Sequence, residues 1–279
     1  MKNIIITGGS GGIGGVLTKH FLNRIYSVTV IGKNKKRFEN LKIESSNVQF
    51  YSLDISCLND VQSFFNWFSS SNASLYALIN VAGVQPPIGE FASNNDQEWE
   101  NNLKINIFGT ANMIKGAISL LKIGKHNKII NFSGGGATSS RPNFSAYAVS
   151  KIAIIKLTEI LANELDKYSI DINAVAPGAI NTEMLNEIID AGSDYAGVEY
   201  TEAIKRHKEG GESPDKIVEL CDFLLSEKSN RITGKLISAI WDDFNGEEFI
   251  SRLKSDKDFC TLRRIDSLNF DTKIKELIY

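Results

Sequence analysis

Residues 7–14 read Thr7-Gly8-Gly9-Ser10-Gly11-Gly12-Ile13-Gly14, between the apolar run Asn3-Ile4-Ile5-Ile6 and a helix-like segment from Val16 to Leu22. A strand that ends in a glycine-rich loop and opens a helix presents bare backbone N–H groups and a helix N-terminus, and both favour a pyrophosphate. In this reading Gly8 permits the tight turn, Gly12 lets the backbone approach the phosphates, and Gly14 lets helix and strand pack closely. Gly9-x-Gly11-x-x-Gly14 also fits the generic dinucleotide fingerprint, a pattern that plain turns share, so other parts of the chain have to decide.

Three further motifs follow in order. Asn80-Val81-Ala82-Gly83 comes after the apolar run Leu75 to Ile79; Tyr147 and Lys151 stand four apart in a helical segment; Pro177-Gly178 follows the strand-like Ile170 to Val175. In order and spacing the chain resembles the short-chain dehydrogenase/reductase family, in its short single-domain branch, whose pattern runs TGxxxGxG, NAG, a helical Asn, Ser, YxxxK and PG. The resemblance covers about residues 3 to 238. It implies an NAD(P)-dependent oxidoreductase that moves a hydride between nicotinamide and a small carbonyl or alcohol substrate. The cofactor-binding residues it implies begin in the glycine-rich loop with Gly8, Ser10, Gly11, Gly12, Ile13 and Gly14. They continue with Asp54 and Ile55 beside the adenine, then Asn80, Ala82 and Gly83, and end with Pro177, Gly178, Ile180 and Thr182 near the nicotinamide. Taken alone, an Asp at a strand end such as Asp54 is more often a cap.

A chain of 279 residues with 42% hydrophobic content is large enough for one substantial core. A single domain over 1–240 and an extension over 241–279 are expected. The formal net charge of −2 supplies no large field for nucleic acid or an anionic membrane. A first strand at residue 2 or 3 leaves no room for a signal peptide, and no apolar run approaches the roughly 18 residues of a membrane span; a cytoplasmic location is the expectation. Cys57, Cys221 and Cys260 are odd in number and far apart, which argues against a disulfide framework or a zinc site. No metal is expected.

Strand patterns fall near 3–7, 27–31, 48–52, 75–80, 127–133, 169–175 and 232–238, alternating with helical ones. That alternation specifies a Rossmann-type, doubly wound, parallel seven-stranded sheet with helices on both faces and a ligand crevice beyond the carboxyl ends of its strands. Gly8, Asp54, Asn80, Ser133 and Pro177 each stand where a strand ends.

About 20 positions beyond the glycines, where a carboxylate would bind the ribose 2′-OH of NAD, stands Gly32. A missing carboxylate leaves room for a 2′-phosphate, and Lys33, Lys35, Lys36 and Arg37 offer cations, so NADP(H) is favoured over NAD(H). The alternative is that this basic run is the solvated start of a surface helix.

Tyr147 and Lys151 share one helix face, so an ammonium there can lower the phenol pKa while reaching the ribose, which brings a tyrosine toward neutral pH as a general acid or base. By the resemblance, Asn106 holds a proton-relay water through its helix carbonyl. One position departs from the family pattern. The serine that orients the substrate carbonyl stands thirteen residues before the tyrosine, and that position is Gly134. Ser133 is adjacent, yet successive strand side chains point to opposite faces. Either a bulge at Gly134-Gly135-Gly136 swings Ser133 into the site, or Thr138, Ser139 or Ser145 serves from the loop.

The segment 183–212 matches a mobile lid, with Tyr195, Tyr200 and His207 either touching substrate or packed beneath a helical pair. Apolar content in 101–121 and 148–165, together with the resemblance, implies a homodimer or homotetramer. The extension either crosses an active site, its own or a neighbour's, or covers a sheet edge. A rival to the enzyme remains open: a nucleotide-binding regulator or scaffold on the same fold, its catalysis weakened at Gly134.

Overall fold

The computed structural model describes residues 1–72 and 74–264. In chain order the elements are β1 (Lys2–Thr7), α1 (Gly12–Leu22), β2 (Tyr26–Gly32), α2 (Lys35–Glu39), β3 (Val48–Ser52), α3 (Leu58–Ser71) and β4 (Ala77–Asn80). Next come α4 (Asp96–Leu103), a π-helical turn (Lys104–Gly109), α5 (Thr110–Leu121), β5 (Asn127–Phe132), α6 (Ser145–Leu165) and β6 (Ile170–Ala176). Among the described residues the remaining elements are α7 (Glu183–Ala196), α8 (Val198–Glu209), α9 (Asp215–Leu225), β7 (Leu236–Ser238) and α10 (Glu247–Ser255). The seven strands form one sheet in the order β3-β2-β1-β4-β5-β6-β7, and every pairing is parallel.

Both faces of this sheet are covered, so its central strands carry apolar runs that the pleat divides between two cores. Ile4 and Ile6 of β1 join Leu17, Phe21, Leu220 and Leu224 on one side. Ile5, between them, faces Phe64, Phe68, Met113 and Leu121 on the other. The chain leaves β1 in one direction toward β2 and β3 and returns through β4 in the other. Between the carboxyl ends of β1 and β4 the loops therefore diverge, and a crevice opens at the switch point.

The last strand is shorter than its 232–238 pattern: Arg231 and Gly234 adopt φ of 70° and 76°, which bends the chain before extended pairing begins at Leu236. Beyond β7 the described part of the extension stays on its own domain. The Leu236 amide donates to the Cys260 carbonyl (2.8 Å), and the buried Lys235 ammonium donates to the carbonyls of Asp256, Lys257 and Phe259. Among the described residues no helix is long and apolar enough to cross a membrane.

Candidate active site

At the switch point lies a cleft of two lobes that share Ile13, Val81, Thr182 and Met184, with volumes of about 450 and 900 Å³. The smaller lobe is bounded by the glycine-rich loop, the end of β2, the β3 loop and the start of α7. Its floor can be approached because side chains are absent there. A Cβ on Gly8, where φ is +68°, would stand 2.9 Å from the Ala82 backbone, and one on Gly14 would overlap the Gly8 carbonyl. Gly12, at φ +52°, opens the loop toward Thr182. This side-chain-free floor at a helix N-terminus fits the pyrophosphate of a dinucleotide.

The residues expected to bind cofactor divide by position. Gly8, Ser10, Gly11, Gly12, Ile13, Lys33, Asp54, Ile55, Ala82 and Gly83 line the smaller lobe. Pro177, Gly178 and Ile180 line the larger, and Thr182 both. Gly14 supports the loop from behind, and Asn80 does not line the cleft: its amide donates to Asn131 Oδ1 (2.9 Å), tying β4 to β5. Lys33 donates to Asp54 (3.1 Å), and Ser56 donates to the same carboxylate from its backbone and hydroxyl. Burial raises the Asp54 pKa, but these hydrogen bonds outweigh it and hold the carboxyl below its usual range. Of the other cations after β2, Arg37 is the one beside Lys33 in this lobe: its guanidinium crosses the loop at Gly11 and pairs with Glu183 of α7.

The larger lobe brings Ser133, Tyr147 and Lys151 together. Tyr147 and Lys151 share the inner face of α6, and the Lys151 ammonium lies 5.4 Å from the phenol ring centre. That ammonium donates to the Phe132 carbonyl (3.0 Å) and is fully buried, which pushes its pKa down to about 8. In this arrangement the Tyr147 pKa lies above its ordinary value. Burial pushes the phenol up to about 12; the Arg141 guanidinium acts against that rise, and the Glu187 carboxylate adds to it.

Asn106 sits in the π-helical turn, a widened turn of the kind found mostly at functional sites. It is buried behind the cleft. Its Oδ1 accepts from the Val84 amide (2.8 Å), and its Nδ2 donates to the Val84 carbonyl, Asn102 Oδ1 and Ser150 Oγ. Asn106 thus joins the loop after β4 to α6 one residue before Lys151. At the end of β5, position 134 faces Tyr147, where a Cβ would overlap the hydroxyl and stand 2.9 Å from Cζ. Gly134-Gly135-Gly136 forms a turn closed by the Ala137 amide on the Gly134 carbonyl (3.3 Å), with Gly136 at φ +85°. Ser133, Thr138 and Ser139 border the lobe, whereas the Ser145 hydroxyl accepts from the Trp99 indole away from it.

The segment expected to form a lid is a helical pair broken at Gly192 (φ 76°) and joined at Gly197 (φ 58°). It packs through Leu185, Ile188, Ala196 and Ala203 onto Phe144, with Tyr200 beside them. Tyr195, Tyr200 and His207 do not line the cleft; Leu185, Ile188, Glu199 and Arg206 do. Sequence reasoning missed Gln85, Arg141, Glu187 and Glu199, because single polar residues in a loop or lid carry no spacing signal. The tail contributes Cys260, Thr261 and Leu262 to the same wall.

A family model described as short chain dehydrogenase matches residues 2–192. Among known proteins, the chain is 27% identical over 241 residues to dehydrogenase/reductase SDR family member 4 of Caenorhabditis elegans, covering 85% of this chain and 92% of that protein. It is 29% identical over 250 residues to an NADPH-dependent aldehyde reductase-like protein, chloroplastic, of Arabidopsis thaliana, covering 84% and 90%. The solved structure of ElxO with NADP bound superposes with a TM-score of 0.74 at 30% identity, covering 85% of this chain and 96% of that one.

Proposed function

Because the chain belongs to the short-chain dehydrogenase family, whose members are NAD(P)-dependent oxidoreductases, we propose that it is an NADP(H)-dependent carbonyl reductase or alcohol dehydrogenase acting through Tyr147. The observation that carries this reading is the convergence of Tyr147 and Lys151 on the lobe that continues from the glycine-rich loop. A bound nicotinamide dinucleotide supplies or accepts the hydride. The chain's own part is to hold that group and to manage the proton. Tyr147 Oη gives a proton to the substrate oxygen in reduction and takes it in oxidation. Lys151 Nζ would hold the ribose of that group, and its positive charge lies 5.4 Å from the phenol ring centre. Asn106 fixes the loop after β4 against α6, and the lid excludes water.

NADP(H) is preferred over NAD(H) because Gly32 offers no carboxylate, while Lys33 and Arg37 border the same lobe. The NADP in ElxO and the NADPH in the Arabidopsis protein's name support this. The chain self-associates as a dimer or tetramer through the apolar side chains that Phe108, Val149 and Ile152 leave exposed (59%, 44% and 44%). Val149→Glu with Ile152→Glu is expected to yield monomers by light scattering, and an unchanged mass would reject that surface.

The test of the activity is turnover of NADPH absorbance across a panel of aldehydes, ketones and alcohols, together with titration of both cofactors. Tight NADPH binding without turnover of any compound would favour a nucleotide-binding regulator, the second reading that Gly134 supports. Tighter binding of NADH would overturn the cofactor preference.

A further inference from the structure

Position 134 supplies no hydroxyl to a substrate oxygen at Tyr147, so the polar groups around that point decide what could hold the oxygen. Arg141 is built into this spot. Its side chain is 11% exposed, its guanidinium carbon lies 3.9 Å from the Phe144 ring centre and 5.7 Å from that of Tyr147, and it borders the larger lobe. It rests against the glycine turn, where a Cβ on Gly135 would be 3.5 Å from Nη1. Nη1 donates to Gln85 Oε1 (3.4 Å) and Nη2 to Glu199 Oε2 (3.1 Å). A guanidinium carries five N–H donors in a planar fork, so these two contacts fix its plane and, among the described residues, leave three without a hydrogen-bond partner.

We propose that Arg141 takes the place of the absent serine, donating a guanidinium N–H to the substrate oxygen beside Tyr147 Oη while its charge favours the tyrosinate. The inference rests on the reductase reading above and deepens it. Three charged or titratable groups face Tyr147: Arg141 from the β5 loop, Glu187 from α7 and Lys151 from α6. Of these, Lys151 is a cation held by a backbone carbonyl, Arg141 is a second cation whose guanidinium eases ionisation of the phenol, and Glu187 opposes that ionisation. An Arg beside the cleft also suits an oxygen that gains negative charge during hydride arrival, because a preformed donor there is worth more in the transition state than in the ground state. Glu199 and Gln85 then act as positioning residues, and because Glu199 belongs to α8, closure of the lid is what sets the fork in place.

The experiment compares Arg141→Gln and Arg141→Lys with the wild-type chain, using para-nitrobenzaldehyde and NADPH for reduction and the corresponding alcohol with NADP⁺ for oxidation. Arg141→Gln is expected to lower kcat by roughly 10²- to 10³-fold with NADPH affinity unchanged, the usual cost of one oxyanion donor. Its oxidation profile should move to higher pH, since the tyrosinate loses its cation, and millimolar guanidinium should restore part of the rate. Arg141→Lys retains a cation opposite Glu199; it should keep the wild-type pH profile while losing part of kcat. Unchanged kcat in Arg141→Gln would overturn the proposal. So would equal losses in both variants without a pH shift or guanidinium rescue, the pattern of a purely structural residue. A wild-type chain that turns over no compound of the wider panel counts instead against the reductase reading itself.

Discussion

Lys151 illustrates how an active-site residue can cost stability. Its ammonium is fully buried with one carbonyl acceptor, and burial depresses its pKa from 10.5 to about 8. Below about pH 8 the folded chain carries a charge that the unfolded chain bears more easily. Between there and 10.5 the unfolded state binds more protons, so stability rises with pH. Lys151→Met is therefore expected to abolish turnover yet stabilise the fold at neutral pH by an amount on the order of 2 kcal/mol, with the gain shrinking toward pH 10.5. Thermal melts at several pH values check it, and a lower Tm for the variant at neutral pH would reject it. At this scale the sequence was read well where a motif carried the signal and poorly where none did. The Tyr147 and Lys151 spacing predicted a shared face, and the residues share it. The same spacing said nothing of the Phe132 carbonyl that accepts from the ammonium, because that acceptor comes from β5 in three dimensions. Arg141 lay six residues before Tyr147 without a repeat, a partner or a periodicity to mark it.

Elements were more legible than residues, for a physical reason. A parallel sheet buried on both faces requires continuous apolar strands, and Ile4-Ile5-Ile6 or Leu78-Ile79 are visible in one dimension. Contacts between elements were not visible. The Arg37 guanidinium on α2 spans the glycine-rich loop to meet Glu183 of α7, so the basic run after β2 is divided among a cofactor lobe, a lid contact and solvent. Arg37→Glu should weaken NADPH binding by about tenfold or more, the scale of a charged hydrogen bond, and change NADH binding far less. Isothermal titration with both cofactors checks it. Equal losses would assign Arg37 to holding the lid through Glu183 and not to a 2′-phosphate.

For the whole molecule, the sheet and the family pattern covered residues up to β7, while the extension had no family pattern to follow: the helical stretch Glu247 to Leu253 was legible and forms α10, but its path over the domain emerges only from packing. Lys235 is 3% exposed and its ammonium collects the carbonyls of Asp256, Lys257 and Phe259, which places Cys260 to Leu262 on the wall of the larger lobe. The part of the expected extension from 265 to 279 lies outside the described residues. Lys235→Met removes the donor that three carbonyls share and should cost roughly 1–3 kcal/mol. The amides of residues 256–262 should exchange faster by hydrogen–deuterium exchange, and substrate KM should rise while NADPH affinity holds. Unaltered exchange in that segment would show that the Phe259 packing and the Leu236 pairing suffice without the ammonium.

All three scales meet at the phenol. The most direct measurement is steady-state turnover and NADPH affinity of Tyr147→Phe, which keeps the ring packed against Arg141 and Lys151 and removes only the hydroxyl. Turnover should vanish with affinity nearly intact, since the proton donor and acceptor is lost while the cofactor lobe is untouched. Full activity in Tyr147→Phe would contradict the mechanism.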